Sequence, residues 1–319
     1  MKKFFNLTLA LVFIFLAVFF AGCDNAELPQ INIKVLSLGD NIAAGYAPTG
    51  TDLYPYYNEY LSGKTQANKK SFTYLIGGNI SDSSVKVTSK SYAKSWDKTY
   101  DLAEKLNNIS VLNDINQAHI ITLSIGANNV LKVALDNMNQ YINGSITDDE
   151  IETLFQTGVD DFKRDYTNTI TQILTRSKAK IFIMTVYNPY KYFDLTKADV
   201  RSSYAQQVII ANEKFSQYSA IISEYLDQIN DYIRSEKFDN IYVVDVNAEF
   251  EGLGKDNYAK YINVDSTKIK INSSSDLQNL SSNLRVDPFP TLEGQKYIAE
   301  LFTNKIMQVV NLEAYKLQK

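Results

Sequence analysis

Between Ile31 and about Leu312, short apolar runs alternate with longer stretches in which apolar residues return every three or four positions. The run INIKVLSLG (residues 31–39) is rich in leucine and β-branched residues and stops at Gly39, which predicts a strand. VKVTSKSYA (85–93) alternates as a half-buried strand does, while HIITLSIG (119–126), KIFIMTVY (180–187) and NIYVVDV (240–246) are continuous apolar runs suited to strands covered on both faces. SFTYLIGGNI (71–80) predicts a helix with a glycine-rich stop. Helical periodicity also covers roughly Asp148 to Arg176, with Leu154, Phe155, Val159, Phe162 and Tyr166 on one stripe. A second such segment runs from Ser203 to Ser235, with Ile209, Ile210, Phe215, Ile221, Ile222, Tyr225 and Ile229. Neither contains proline, so both can run long. The last helix begins near Thr291, an N-cap after Pro290, and passes through Leu301 and Ile306. This alternation predicts α/β architecture: a three-layer α/β/α sandwich with a mostly parallel central sheet.

In such a sheet ligands and chemistry collect beyond the carboxyl ends of the strands. The residues to inspect are therefore Gly39-Asp40-Asn41, Ser95-Trp96-Asp97, Gly126-Ala127-Asn128-Asn129, Tyr187-Asn188-Pro189-Tyr190, and Asp287-Pro288-Phe289-Pro290 before the last helix.

The first residues change the picture of where the chain works. Lys2-Lys3 precede an apolar run from Phe4 to Phe20, broken only by Asn6 and Thr8, and then Ala21-Gly22-Cys23. That is the pattern of an export signal with small residues before a cysteine, similar to bacterial lipoprotein signals. The alternative is an uncleaved anchor, since about 17 apolar residues is the short end for a membrane span. The expected organisation is a signal peptide over 1–23, a polar linker over 24–30, one domain over 31–312 and a tail over 313–319. Acylation of Cys23 would tether the domain to the cell membrane on the extracytoplasmic side. Cys23 is the chain's lone cysteine and His119 its lone histidine, which excludes intramolecular disulfides and Cys/His metal sites; no cofactor is expected. With 319 residues, 45% of them hydrophobic, and a formal net charge of -4, the chain can bury a core and has no overall basic charge for nucleic acid.

Four strand-end segments, in order, resemble those of the SGNH, or GDSL-type, hydrolases. SLGDNIAAGY (37–46) resembles the first block, Gly-Asp-Ser; YAKSWDKTYDLAEKL (92–106) the second, where a glycine commonly follows the serine; LSIGANNVL (123–131) the third, Gly-x-Asn-Asp; and VDPFPTLEGQKYIAELF (286–302) the last, Asp-x-His-Pro followed by a helix. TVYNPYKYF (185–193) is similar to the fourth-strand segment of extracytoplasmic bacterial members. The resemblance implies a flavodoxin-like sheet and hydrolysis of esters or acetyl esters by a serine, with a histidine base oriented by an aspartate. It also implies an oxyanion held by the backbone N–H groups of the nucleophile and the second-block glycine and by the third-block asparagine side chain.

Matched residue by residue, this chain departs from that chemistry. Asn41 stands at the nucleophile position and has no hydroxyl to activate; Phe289 stands at the base position and accepts no proton; Trp96 stands at the glycine position, where its indole is expected to project into the pocket. Gly126, Asn128 and Asp287 persist, and Asn129 replaces the aspartate beside the third-block asparagine. His119, at the start of the third strand run, is expected roughly 20 Å from the active end, given ~3.3 Å per strand residue. Ser37 and Ser124 lie within strand runs and are expected to be packed rather than nucleophilic.

The reading that follows is an extracytoplasmic lipoprotein on a hydrolase frame, catalytically silent, that binds or scaffolds. Asp40, Asn41, Trp96, Gly126, Asn128, Asn129, Tyr187 and Asp287 are the candidate binding residues. Their mixture of amide, carboxylate and aromatic groups suits a carbohydrate or an acylated ligand. In the opposing reading, Phe289 and Trp96 plug the pocket and the aromatics are core. The alternative function is a residual or altered esterase. The tyrosine-rich insertion at 47–70 offers either a surface for a protein partner or a solvated loop over the pocket.

Overall fold

Five parallel strands form the central sheet: β1 (Ile31–Gly39), β2 (Val85–Ser91), β3 (Ile120–Ser124), β4 (Lys180–Met184) and β5 (Ile241–Val244). Their order across the sheet is β2-β1-β3-β4-β5. This computed structural model describes residues 31–64, 68–312 and 315; the signal segment, Cys23, the linker and most of the tail lie outside the described residues. All five residues of β3 are buried and β1 is closed on both faces after Lys34, as their unbroken apolar runs require. β2, at the edge, keeps an alternating pattern, burying Val85 and exposing Lys86.

The strand order reverses at β1. Right-handed crossovers then place the β1-to-β2 connection on one face and the remaining three on the other. The first connection carries α1 (Asn41–Ala44), α2 (Tyr54–Leu61) and α3 (Phe72–Ile80). The others carry α4 (Thr99–Lys105) and α5 (Ile109–Gln117), then α6 (Ala127–Ile142) and α7 (Asp148–Leu174), then α8 (Ala205–Arg234). Beyond β5 come α9 (Val246–Gly252), α10 (Lys255–Tyr261), α11 (Ser274–Gln278) and α12 (Leu292–Val309), with a two-residue parallel pairing of 199–200 with 270–271 beside them. α12 returns to pack on α3, where Phe72 stacks on Phe302 with ring centres 4.8 Å apart. On the other face α7 touches α4, α6 and α8. Among the described residues no helix is long and apolar enough to cross a membrane.

The long helices begin where the sequence marks them. Thr147 and Glu150 close a capping box at α7, and the Thr291 hydroxyl accepts from the Gly294 N–H at α12. Their buried faces differ in detail from the expected stripes. Leu154, Ile209 and Ile210 are exposed and Ile221 is only half-buried. The core face of α8 is instead Val208, Ala211, Phe215, Tyr218, Ile222, Tyr225, Ile229 and Ile233, which keeps a three-to-four spacing that Ile209 and Ile210 break. The segment 71–80 does not stop at its glycines: α3 continues through Gly77 and Gly78 to Ile80. The helices α4 and α5, at 7 and 9 residues, and the longer α6 are not among the elements expected from the sequence, although α6 buries Val130, Leu131, Ala134, Met138 and Tyr141 at three-to-four spacing.

Helix packing depends on one close approach. A Cβ on Gly158 would lie 2.0 Å from the backbone oxygen of Asn129, so α7 meets α6 with nothing between them. Gly78, also helical, has open space around it. Gly158→Ala should therefore cost about 2–4 kcal/mol in urea unfolding. Gly78→Ala should instead gain about 0.5–1 kcal/mol. Equal effects from the two would overturn this account of the α6–α7 contact.

Candidate functional site

The site is built outward from the end of β1. Gly39, at φ 143°, crosses so close to β3 that a Cβ there would sit 2.0 Å from the Ser124 carbonyl oxygen. The next residue ties the strands together: Asp40 N–H donates to Ser124 O at 2.9 Å, and Asp40 Oδ1 accepts from Ile42 N–H at 3.0 Å and from the Ser124 hydroxyl at 3.1 Å. Asp40 thereby caps α1 and turns Asn41, its first residue, fully inward.

Two donors meet at the Asn41 side chain. Its Oδ1 accepts from the Trp96 backbone N–H at 2.7 Å and from Asn128 Nδ2 at 2.6 Å, and the same Asn128 amide donates to Asp97 O at 2.8 Å. Trp96 can present its N–H this way because its φ is 72°, a left-handed conformation otherwise held only by glycines among the described residues. For a residue with a Cβ this costs about 1–2 kcal/mol. Trp96 thus delivers the N–H that a glycine would, while its indole joins the rings that lie over the site. Asn41 Nδ2, Asn128 Oδ1 and Asp40 Oδ2 are buried without partners. Each such group costs about 1–3 kcal/mol of desolvation.

Aromatic rings close the site. Tyr46, Trp96 and Phe289 form a triangle of edge-on contacts, with ring centres 5.1 Å (Tyr46–Trp96), 5.1 Å (Tyr46–Phe289) and 5.6 Å (Trp96–Phe289) apart. Tyr57, from the insertion, packs edge-on to Tyr46 at 5.3 Å and bonds the Ser95 hydroxyl through its own at 2.8 Å. The insertion therefore contributes a folded wall through α2 rather than a solvated loop. Lys132 lies over the Trp96 ring at 5.4 Å. Asn41 and Asn128 are 0% exposed and Phe289 1% exposed, so these groups are shut off from solvent.

The loop before α12 is held from below. Asp287 Oδ1 accepts from Phe289 N–H at 3.2 Å, and the Tyr187 and Tyr190 hydroxyls donate to the carbonyls of Pro288 and Val286. Burial pushes Asp287 up to about 7. Asp40 is likewise raised to about 7, by burial first and by Asp97 as a lesser cause, against the pull of its bonds from Ile42 and Ser124.

The candidate residues divide into two groups. Asn41, Trp96 and Asn128 form one hydrogen-bonded cluster, Asp40 adjoins it as the cap of α1, and Phe289 joins it through the ring triangle with Asp287 beside it. Gly126, Asn129 and Tyr187 are placed in packing roles. Gly126 caps α6 at φ 112° against the Phe162 ring; the Asn129 amide donates to Gly158 O and Thr99 Oγ1; Tyr187 stacks on Phe250 at 4.8 Å. Ser37 is buried against Thr122, and Ser124 is spent on Asp40. His119 sits at the opposite end of the sheet, where its Nδ1 accepts from Lys34 N–H. Tyr46 and Tyr57 are members of the site that the motif blocks do not single out, although Tyr46 ends the first of them. Among the described residues no group of three His, Cys, Asp or Glu side chains is placed to hold a metal ion.

No protein family matches the sequence, and no characterised protein matches it in sequence either. Solved structures similar to the chain include a lipase from a goat rumen metagenome, at 15% identity over 86% of this chain and 97% of that one, with a TM-score of 0.49. Phospholipase A1 from Streptomyces albidoflavus is similar at 14% identity over 85% and 98%, with a TM-score of 0.49. An acetylxylan esterase from Geobacillus stearothermophilus is similar at 15% identity over 88% and 96%, with a TM-score of 0.44. At identities this low the likeness is one of chain path alone. The parallel α/β frame and the gathering of the block residues Asn41, Trp96, Asn128 and Phe289 at one end of the sheet are observed in this chain itself.

The two buried acids set a pH dependence. For each, the native value near 7 lies above the ordinary 3.8, so the folded form keeps a proton that the unfolded chain has lost. Their contribution to stability is complete below about pH 4 and drains away as pH rises through about 7. The melting temperature should fall by at least a few °C, roughly, between pH 5 and pH 7.5. Asp287→Asn, which keeps an acceptor for Phe289 N–H, should remove about half of that fall; an unchanged slope would refute the assignment.

Proposed function

We propose that this protein is a catalytically silent member of the SGNH hydrolases, anchored by lipid at Cys23 on the extracytoplasmic face of the cell membrane and acting in binding or scaffolding. The observation that carries this reading is the environment of Asn41 Oδ1. The resemblance assigns the Trp96 N–H and the Asn128 amide to an oxyanion, and here both donate to a neutral carboxamide oxygen of the chain itself. An oxyanion site works by holding donors ready for charge that develops only in the transition state. These donors are already engaged, so a substrate carbonyl would have to displace Asn41 before meeting them.

The other losses act in the same direction. Asn41 offers no hydroxyl, and Phe289 cannot take a proton. Removing nucleophile and base together costs on the order of 10⁶ in rate in a serine protease. The ring triangle fills the space over the site, which favours a plugged pocket over an open one and moves ligand recognition to the surfaces around it. A carbohydrate, an acylated molecule or a partner protein would then be met outside the old centre. The export signal and the small residues before Cys23 support the anchor, and the mass of the mature N-terminus reads it directly.

The test is restoration in the full chain, solubilised in detergent. The natural protein should hydrolyse p-nitrophenyl acetate no faster than buffer. Asn41→Ser with Phe289→His frees both donors and restores a base beside Asp287, and should raise the rate at least ~10²-fold. Adding Trp96→Gly should open the ring cap without being needed for the N–H, which is already aimed. Hydrolysis by the natural chain would favour the residual-esterase reading instead. A folded but inert double variant would sink the idea of a decayed hydrolase site.

A further inference from the structure

A cavity of about 450 Å³ opens beside the plugged centre, between the loop after α1, the end of α10 and the turn that leads into α12. Its size suits a small polar molecule. It shares only the 285–291 segment with the Asn41 cluster. We propose that this cavity is a binding site for a small carboxylate-bearing ligand, held by Arg285, a proposal independent of whether Asn41 is catalytically inert.

The balance of charge in the walls carries the argument. Three acids line the cavity. Asp265 is paired with Lys268 at 3.0 Å and also accepts from Thr267; Glu293 is paired with Lys296 at 2.6 Å; Asp52 has no ion-pair partner among the described residues. Of the cations, Arg285 and Lys260 have no carboxylate within 4.0 Å among the described residues. With Asp52 set against these two, one positive charge remains. A monoanion balances it, whereas a phosphate dianion would overshoot.

Arg285 is built to hold such a group. Its backbone is fixed from both sides, its N–H donating to Asn283 Oδ1 at 2.9 Å and its carbonyl accepting from Asp265 N–H at 3.0 Å. Among the described residues its guanidinium makes one bond, to Asn263 Oδ1 at 3.3 Å, and Asn263 is itself pinned through its amide to Leu284 O at 2.7 Å. Four of its five N–H donors are therefore unused on a half-buried, positioned fork. That fork matches the two oxygens of a carboxylate. Asp52 also lines the cavity and its carboxylate accepts hydrogen bonds only, so the same ligand should bring hydroxyl or amino donors to it. A uronic acid sugar and a short peptide with a free carboxyl end both carry this combination.

The test is calorimetric titration of the detergent-solubilised full chain with glucuronate, glucose and glycylglycine. At least one of the two acids should bind saturably, with glucose at least ~10-fold weaker. Arg285→Met should weaken acid binding by ~10- to 100-fold, the worth of a charge-assisted hydrogen-bonded pair. Arg285→Lys should retain part of it. Glucuronate alone binding assigns a saccharide source, glycylglycine alone a peptide source, and both together a site that reads the carboxylate. Should Arg285→Met fail to fold, Lys260→Met, on an exposed side chain, should still weaken the acids while leaving glucose unchanged. Asn41→Ser/Phe289→His should bind as the natural chain does, which separates this result from the fate of the hydrolase reading. Saturable binding of neither acid, glucose matching the acids, or acid affinity unmoved in a folded Arg285→Met protein would each overturn the proposal.

Discussion

The carboxamide oxygen of Asn41 is where three parallel strands are tied together. Asn41 follows β1, Trp96 follows β2 and Asn128 follows β3, so two hydrogen bonds to one atom join the ends of three neighbours in the sheet. The left-handed turn at Trp96 and the inward pose of α1 make sense in view of this contact. Without the Asn41 acceptor, the Trp96 N–H would lose its partner and the Asn128 amide would keep only its bond to Asp97 O, a cost to set against the unpaired Nδ2 that Asn41 leaves behind. The Asn41 side chain is therefore a structural link between the three strand ends.

The same logic runs through the cap. Three rings meeting edge to edge contribute packing of about 0.5–1.5 kcal/mol per pair beyond area burial. They also set the dielectric beneath them. Asp40 and Asp287 are driven toward neutrality because the cover keeps water away and no cation replaces it. The result is a closed, low-polarity environment in which both acids favour their neutral form below about pH 7.

Much of this was legible in the residues. The five strands were visible as apolar runs, and Gly39-Asp40-Asn41, Trp96, Asn128 and Phe289 could be placed at their ends because parallel α/β sheets bring those ends together. What escaped was set by tertiary geometry. No local pattern says that Trp96 takes a glycine's backbone angle, or that Asn41 turns its oxygen onto the Trp96 N–H. Gly126 and Asn129, read as site residues by their neighbours in the motif, serve helix packing, because α6 and α7 approach to backbone contact at Gly158. The helices α4 and α5, at 7 and 9 residues, are too short to establish a period, whereas the stripe of Val130, Leu131, Ala134, Met138 and Tyr141 in α6 was there to be read. Leu154 and Ile209 were misplaced by a periodicity that tolerates an extra apolar position on either side of the buried stripe.

Trp96 is the chain's single tryptophan, and it stands in the cap with its ring touching Tyr46 and Phe289 and a lysine above it. All indole absorption and emission of the protein therefore originates at the closed centre. The indole part of its spectrum is a built-in optical gauge of that one spot: with excitation at the red edge, where the tyrosines do not absorb, a shift in emission colour or in quenching by small solutes records the loosening or tightening of the plug.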